Sequence, residues 1–188
     1  LSDGSEASVI AWIWARTGKC SNPACGCEIP LVSNYVLSQK KGKCAWVIPY
    51  RVEDHFEFRI ETGTTLPKLP EPKKGRGASF ECPACGEITV DSYVKSEGKA
   101  GRIGSRLMAV VAEGKHGREY LAPDSFQERS AYIDRPDSYP DGDMPTNPRW
   151  FSPPAFGMTS YSDIFTNRQL TALSTFSELV SEVQKKAE

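Results

Sequence analysis

Two short cysteine segments hold the side chains best suited to chemistry in this sequence: Cys20-Ser-Asn-Pro-Ala-Cys25-Gly26 and Cys82-Pro-Ala-Cys85-Gly86. Each places two thiols on one side of a tight turn, and the glycine after the second cysteine supplies the positive φ that lets backbone N–H groups point at the sulfurs. Read as two halves of one site, the segments offer four thiolates that close a tetrahedron around Zn2+. Four protein sulfurs leave no open coordination position, so such a metal holds the fold together instead of activating water. Six cysteines is an even number, which makes a disulfide framework the rival reading. Close cysteine pairs without a signal peptide favour zinc.

Cys27 and Cys44 compete for the same site. Cys25-x-Cys27 is too short for the usual knuckle turn and would orphan Cys20, whereas Cys25-Gly26 repeats the Cys85-Gly86 pattern. Cys44 lies in an apolar strand-like run and reads as a buried thiol, the common state of free cysteine. His55 and His116 sit outside both knuckles and read as ordinary strand and turn residues.

Two enzyme-like patterns are present and incomplete. His55-Phe-Glu57 followed by Cys82-Pro-Ala-Cys85 is close to the zinc deaminase signature, but the proline follows the first cysteine and three ligands would leave Cys20 and Cys25 without a purpose. Ser152-Pro-Pro-Ala155 is close to the [DNS]-P-P-[YFW] motif of amino-methylating DNA methyltransferases, but Ala155 has no ring to stack on a flipped base. No strand followed by a glycine-rich turn is present to hold the methyl donor. The chain by itself is therefore expected to be non-catalytic.

The elements that must position the thiols follow from hydrophobic periodicity. Ser8–Arg16 is β-branched and aromatic and runs into the first knuckle as a strand, with Trp12 and Trp14 on one face and expected to pack inward. Residues 29–32 leave that knuckle. Lys43–Pro49 and His55–Glu61 read as a hairpin, with Phe56, Phe58 and Ile60 alternating against polar neighbours. Leu66–Gly77, with three Pro and four basic residues, is a loop before the second knuckle. Glu87–Val90 resumes a strand, Tyr93–Arg106 reads as a basic glycine-rich turn, and 107–112 with 118–121 form a further hairpin. Pro123–Ile133 is a candidate short helix capped by Asp124 or Ser125, and Arg135–Pro154, with six Pro, reads as an extended arm. Thr166 caps the clearest helix, in which Leu170, Leu173, Phe176, Val180 and Val183 recur at steps of three and four. That stripe calls for a partner surface.

The expected fold is thus α+β: a zinc ribbon over 8–122 with a β-hairpin inserted at 43–61, mostly antiparallel, then a Pro/Asp-rich arm over 123–165 and an amphipathic C-terminal helix over 166–187. A mean hydropathy of −0.44 and 14 Pro with 15 Gly mark a loop-rich chain in which a metal replaces part of the core. No apolar run approaches the roughly 18 residues that span a bilayer, and the first ten residues lack the basic and apolar regions of a secretory signal. No membrane partner and a reducing cytoplasm are expected. The start at Leu1, without an initiator Met, is that of a processed chain or of a segment cut from a longer one. The net charge of −1 hides an asymmetry: residues 1–118 carry 17 basic against 13 acidic groups, residues 119–188 carry 6 against 11. The first part can face polyanions, although so modest an excess does not decide the matter.

The runs Cys20-Ser-Asn-Pro-Ala-Cys-Gly-Cys-Glu-Ile-Pro-Leu31, Cys82-Pro-Ala-Cys-Gly86, Gly98-Lys-Ala-Gly-Arg-Ile-Gly-Ser-Arg-Leu107 and Gly157-Met-Thr-Ser-Tyr-Ser-Asp-Ile-Phe-Thr-Asn-Arg-Gln-Leu170 resemble the zinc-ribbon-containing adenine-specific DNA methylases. The resemblance spans about residues 11 to 180. It implies a place inside a larger S-adenosylmethionine-dependent DNA adenine methyltransferase, after the donor-binding motif and before the D-P-P-Y motif, both absent from this sequence. One class of amino-methyltransferases carries its target recognition domain there, which makes DNA and the rest of the methylase chain the expected partners. Lys95, Lys99, Arg102 and Arg106 are then the candidates for phosphate contact. The alternative is a ribbon that docks to the methylase core or to a partner subunit.

Overall fold

Alternation of apolar and polar residues builds the strands of this chain, and the computed structural model describes it over residues 6–115, 117–139, 141–147 and 151–187. The architecture is α+β, mostly antiparallel, with a C-terminal helix. The strands are β1 (Val9–Lys19), β2 (Glu28–Pro30), β3 (Val36–Lys40), β4 (Lys43–Val52), β5 (His55–Gly63), β6 (Phe80–Glu81), β7 (Ile88–Thr89), β8 (Gly104–Gly114) and β9 (Gly117–Leu121). The helices are α1 (Asp91–Lys99), α2 (Ser125–Ser130) and α3 (Asn167–Ala187), with single 3-10 turns at Pro153–Phe156 and Tyr161–Ile164. Two compact units result, one running to residue 97 and resuming over 102–124, the other comprising 98–101 and the chain from 125 onward.

The first unit holds a seven-stranded sheet in the order β3-β4-β5-β2-β1-β8-β9 and a two-stranded sheet of β6 and β7. Long antiparallel registers join β4 to β5, from Cys44 opposite Gly63 to Val52 opposite His55, and β1 to β8. By contrast, β2 meets β5 in parallel through one residue pair, Glu28 with His55. The core gathers Ala15, Tyr35, Val47, Phe58 and Met108, with Ile13, Val32, Leu37 and Ile60 packed against them. These residues come from both sides of the β2 junction. The alternation in β5 is observed: Phe56 and Phe58 are buried, Arg59 and Glu61 exposed.

Two expectations change in this unit. Ala15 and Ile13 are the residues of β1 that join the core, so Trp12, on the opposite face of the strand, is 51% exposed. The tryptophans were expected to point inward, but the smaller Ile13 and Ala15 take the core positions beside Val47 and Phe58, while Trp14 is only partly buried. The run read as a basic glycine-rich turn begins as helix α1. Asp91 starts that helix, accepts the Ala78 N–H at 2.8 Å and pairs with Lys95 one turn on at 2.5 Å. The turn proper is confined to the residues after Lys99, where Gly101 adopts φ +68° and Arg102 N–H bonds back to Glu97 O at 2.9 Å. Strand β3 also went unread in the sequence and makes the inserted hairpin three-stranded.

In the second unit, Ser160 and Asp163 form a reciprocal capping box on the turn Tyr161–Ile164. Within it the buried Ser162 hydroxyl donates to Asp141 Oδ1 at 3.0 Å and accepts from Arg135. Helix α3 starts after Thr166, whose N–H donates to Gln169 Oε1 at 2.8 Å. Its first turns are tied to the arm by Asn167 Nδ2 donating to Ile133 O and Ser174 Oγ donating to Ser138 O. Leu170 is buried, while Leu173, Phe176, Val180 and Val183 are exposed.

Candidate metal centre

Each cysteine segment forms the tip of a two-stranded hairpin. The first joins β1 to β2, whose register pairs Thr17 with Pro30 and Lys19 with Glu28. At its mouth Cys20 N–H donates to Cys27 O at 2.8 Å, and the Cys25 and Gly26 amides both donate to Asn22 O. The second joins β6 to β7, with Phe80 opposite Thr89. Here Cys82 N–H donates to Glu87 O at 2.8 Å and Gly86 N–H to Cys82 O at 2.9 Å. Gly26 and Gly86 hold φ of +60° and +76°, the left-handed conformation that a Cβ would strain. The two knuckles share one plan despite unequal cysteine spacing.

The tips bring four sulfurs together. Cys20 Sγ lies 3.7 Å from Cys85 Sγ, Cys25 Sγ lies 3.8 Å from Cys82 Sγ, and the four lie within 4.8 Å of one another. A tetrahedral ion with metal–sulfur bonds of about 2.3 Å has sulfur–sulfur edges of about 3.8 Å. A disulfide requires about 2.05 Å, so none of these cysteines is bridged. The donor set therefore fits a tetrathiolate metal site. Among the described residues it is the one group of three or more metal-ligating side chains close enough to share an ion.

Electrostatics separate the four thiols. Burial pushes Cys20 up to about 12 against the opposing backbone N–H of Asn22, and burial likewise raises Cys82 against the amides of Cys85 and Ala84. At Cys25 the backbone N–H of Cys27 stabilises the thiolate and lowers it to about 7. Amide-to-sulfur hydrogen bonds thus offset part of the desolvation, and a bound cation offsets the rest by displacing the protons.

The remaining candidates fall elsewhere. Cys27 is fully buried, with its thiol pushed up by that burial, and stands outside the cluster. Cys44 is buried in β4, its sulfur directed at the carbonyls of Lys40 and Thr64. His55 places its ring nitrogens 3.4 Å from Asp54 and 3.7 Å from Glu57, a strand-surface arrangement that breaks the deaminase pattern. His116 lies outside the described residues. In Ser152-Pro-Pro-Ala155 the prolyl carbonyls already accept from Gly157 and Met158 at 3.2 Å, so the acceptors of a methyltransferase motif are in use.

Of the phosphate candidates, Lys95 pairs with Asp91, and Arg102 clamps Glu97 with Nε to Oε2 at 2.9 Å and Nη2 to Oε1 at 2.6 Å. Those contacts hold both carboxyls below their usual range. Lys99 is exposed at the end of α1, and Arg106 is half-buried on β8 opposite Ala15. Sequence reasoning missed Thr89, which is buried and accepts the Ser21 N–H at 3.2 Å, tying one hairpin to the other. Its signal was a lone hydroxyl in a short apolar run. Among the described residues no helix is long and apolar enough to cross a membrane. Comparison with family models, with curated proteins and with solved structures finds no match to this chain.

Proposed function

We propose that the chain is a zinc ribbon whose Zn2+ is held by Cys20, Cys25, Cys82 and Cys85, and that it serves a DNA adenine methyltransferase as a non-catalytic insertion domain assisting target recognition. The observation that supports the metal is the near-tetrahedral approach of four sulfurs at the tips of two like hairpins. Zinc suits it because an all-thiolate, four-coordinate site is the common form of structural zinc. When bound, the ion supplies folding free energy and no nucleophile, since every position is filled by sulfur. The methylase setting rests on the resemblance of the four runs quoted above, and S-adenosylmethionine belongs to the parent enzyme in that setting.

Metal analysis together with a salt titration of DNA binding by the intact methylase tests both halves. One zinc per chain, absent in a Cys20→Ser/Cys82→Ser variant, and an affinity that falls steeply with salt are the expected results. One observation favours a second reading, in which the ribbon docks to the methylase core: Lys95 and Arg102 are engaged by Asp91 and Glu97 instead of standing open to phosphate. An affinity insensitive to deletion of Lys99 and Arg106 charge selects that reading.

A further inference from the structure

We propose that the exposed end of α3 pairs antiparallel with the same helix of a second copy of this chain. From Thr175 to Lys186 every residue is exposed, so among the described residues this half of the helix has no apolar surface covering it. Isolated helices below about 12–15 residues are marginal in water and derive their stability from covering an apolar face. Such a face exists here: Phe176 is 69% exposed, Val180 68% and Leu179 49%.

The spacing identifies the kind of surface that covers it. Leu173, Phe176, Val180 and Val183 follow one another at steps of three, four and three, the repeat that winds one helix around another. Ser177 and Gln184 flank this seam on one side and Ala172 and Leu179 on the other, while Glu178, Glu182 and Lys185 lie on the back. No charge stands beside the seam between 172 and 184, so two identical helices meet without repulsion.

Side-chain size selects the orientation. In an antiparallel pair Leu173 faces the second copy's Val183 and Phe176 faces its Val180, so each layer joins a larger residue to a valine. A parallel pair sets Phe176 on Phe176 and Val180 on Val180, one layer overfull and the next underfilled. Antiparallel packing also opposes the two helix dipoles. The ties from Asn167 and Ser174 to the arm lie in the first turns of the helix, so the two arms stand at opposite ends of the pair.

Leu179 provides the test, because antiparallel pairing sets it beside its own symmetry mate. Sedimentation equilibrium of the metal-loaded chain through the micromolar range is expected to show a reversible dimer. Leu179→Glu and Leu179→Lys, both at an exposed position, should each weaken it about tenfold or more by juxtaposing like charges. An equimolar mixture of the two variants should restore the dimer. A wild-type chain that stays monomeric throughout overturns the proposal and leaves the seam to another segment of the parent protein. A dimer indifferent to both variants overturns it too, as does a mixture that fails to re-associate.

Discussion

Thr89 Oγ1 accepts a hydrogen bond from the Ser21 amide at 3.2 Å, so the second hairpin is fastened to the first immediately beside Cys20. The four sulfurs thus have an organic brace independent of any ion. Thr89→Val keeps the shape and removes the acceptor, and a single buried hydrogen bond of this kind contributes about 1 kcal/mol. The expected result is a lowered urea midpoint with unchanged zinc stoichiometry, read by denaturation and metal analysis on the same samples.

On the proposed zinc reading, chelation or Cys82→Ser removes a cation that offsets the burial of Cys20 and Cys82. Because the apolar core is thin, the loss should loosen the whole first unit and not only the knuckles. Amide hydrogen exchange reports this directly: protection in β1 and β8 falls with that at Cys20–Cys27. Retention of one zinc by the Cys20→Ser/Cys82→Ser double variant would falsify the ligand assignment.

Cys27→Ala and Cys44→Ala should each keep the metal. Cys27 is fully buried, so its loss leaves a small cavity costing on the order of 1 kcal/mol. Zinc content separates this packing effect from ligation. Loss of the ion in Cys27→Ala, with retention in Cys25→Ala, reverses the choice of donors.

Glu97 ties stability to pH. Its hydrogen bonds from Arg102 hold the folded carboxyl below its usual range, so the contribution is fully present above the ordinary carboxylate pKa of about 4.3 and is lost as pH falls through the folded value. Arg102 stays charged throughout that window. The acid limb of a stability–pH profile should therefore be shallower in Glu97→Gln than in wild type. Parallel profiles would assign the acid sensitivity to other carboxylates, such as Asp91 or Asp163.

With Lys95 and Arg102 engaged by acids, the proposed phosphate contact falls chiefly to Lys99 and Arg106. On the proposed methylase reading, Lys99→Ala in the intact parent protein should weaken DNA binding about equally on all sequences and lower the salt slope by about one. Arg102→Ala should instead lower thermal stability, since it strips Glu97 of its counter-charge. An unchanged slope with Lys99→Ala moves the DNA surface away from this helix end.

The clustering of the four cysteines was legible because its grammar is local: cysteine spacing and a following glycine are read within seven residues, and Gly26 and Gly86 adopt the conformation that spacing requires. Long alternating strands such as β5 were equally plain. What escaped was set by distant neighbours. Helix α1 carries three glycines within and after it, a composition that argues for a turn, yet Asp91, its first residue, is held by the N–H of Ala78, thirteen residues upstream. Gly98 is required there for a different reason, since a Cβ would collide with the backbone carbonyl of Phe156. The inward face of β1 likewise depended on partners in β4 and β5 that no window around Trp12 contains.

The two knuckles lie far apart along the chain, with Cys25 and Cys82 separated by 57 positions. Each pair of thiols can capture an ion as soon as its own hairpin forms, but joining the pairs requires closing everything between them. Closure entropy grows only as the logarithm of that span, about 0.6 kcal/mol for each doubling. The intervening strands can therefore lengthen or shorten at little thermodynamic expense without moving the four sulfurs out of reach of one another.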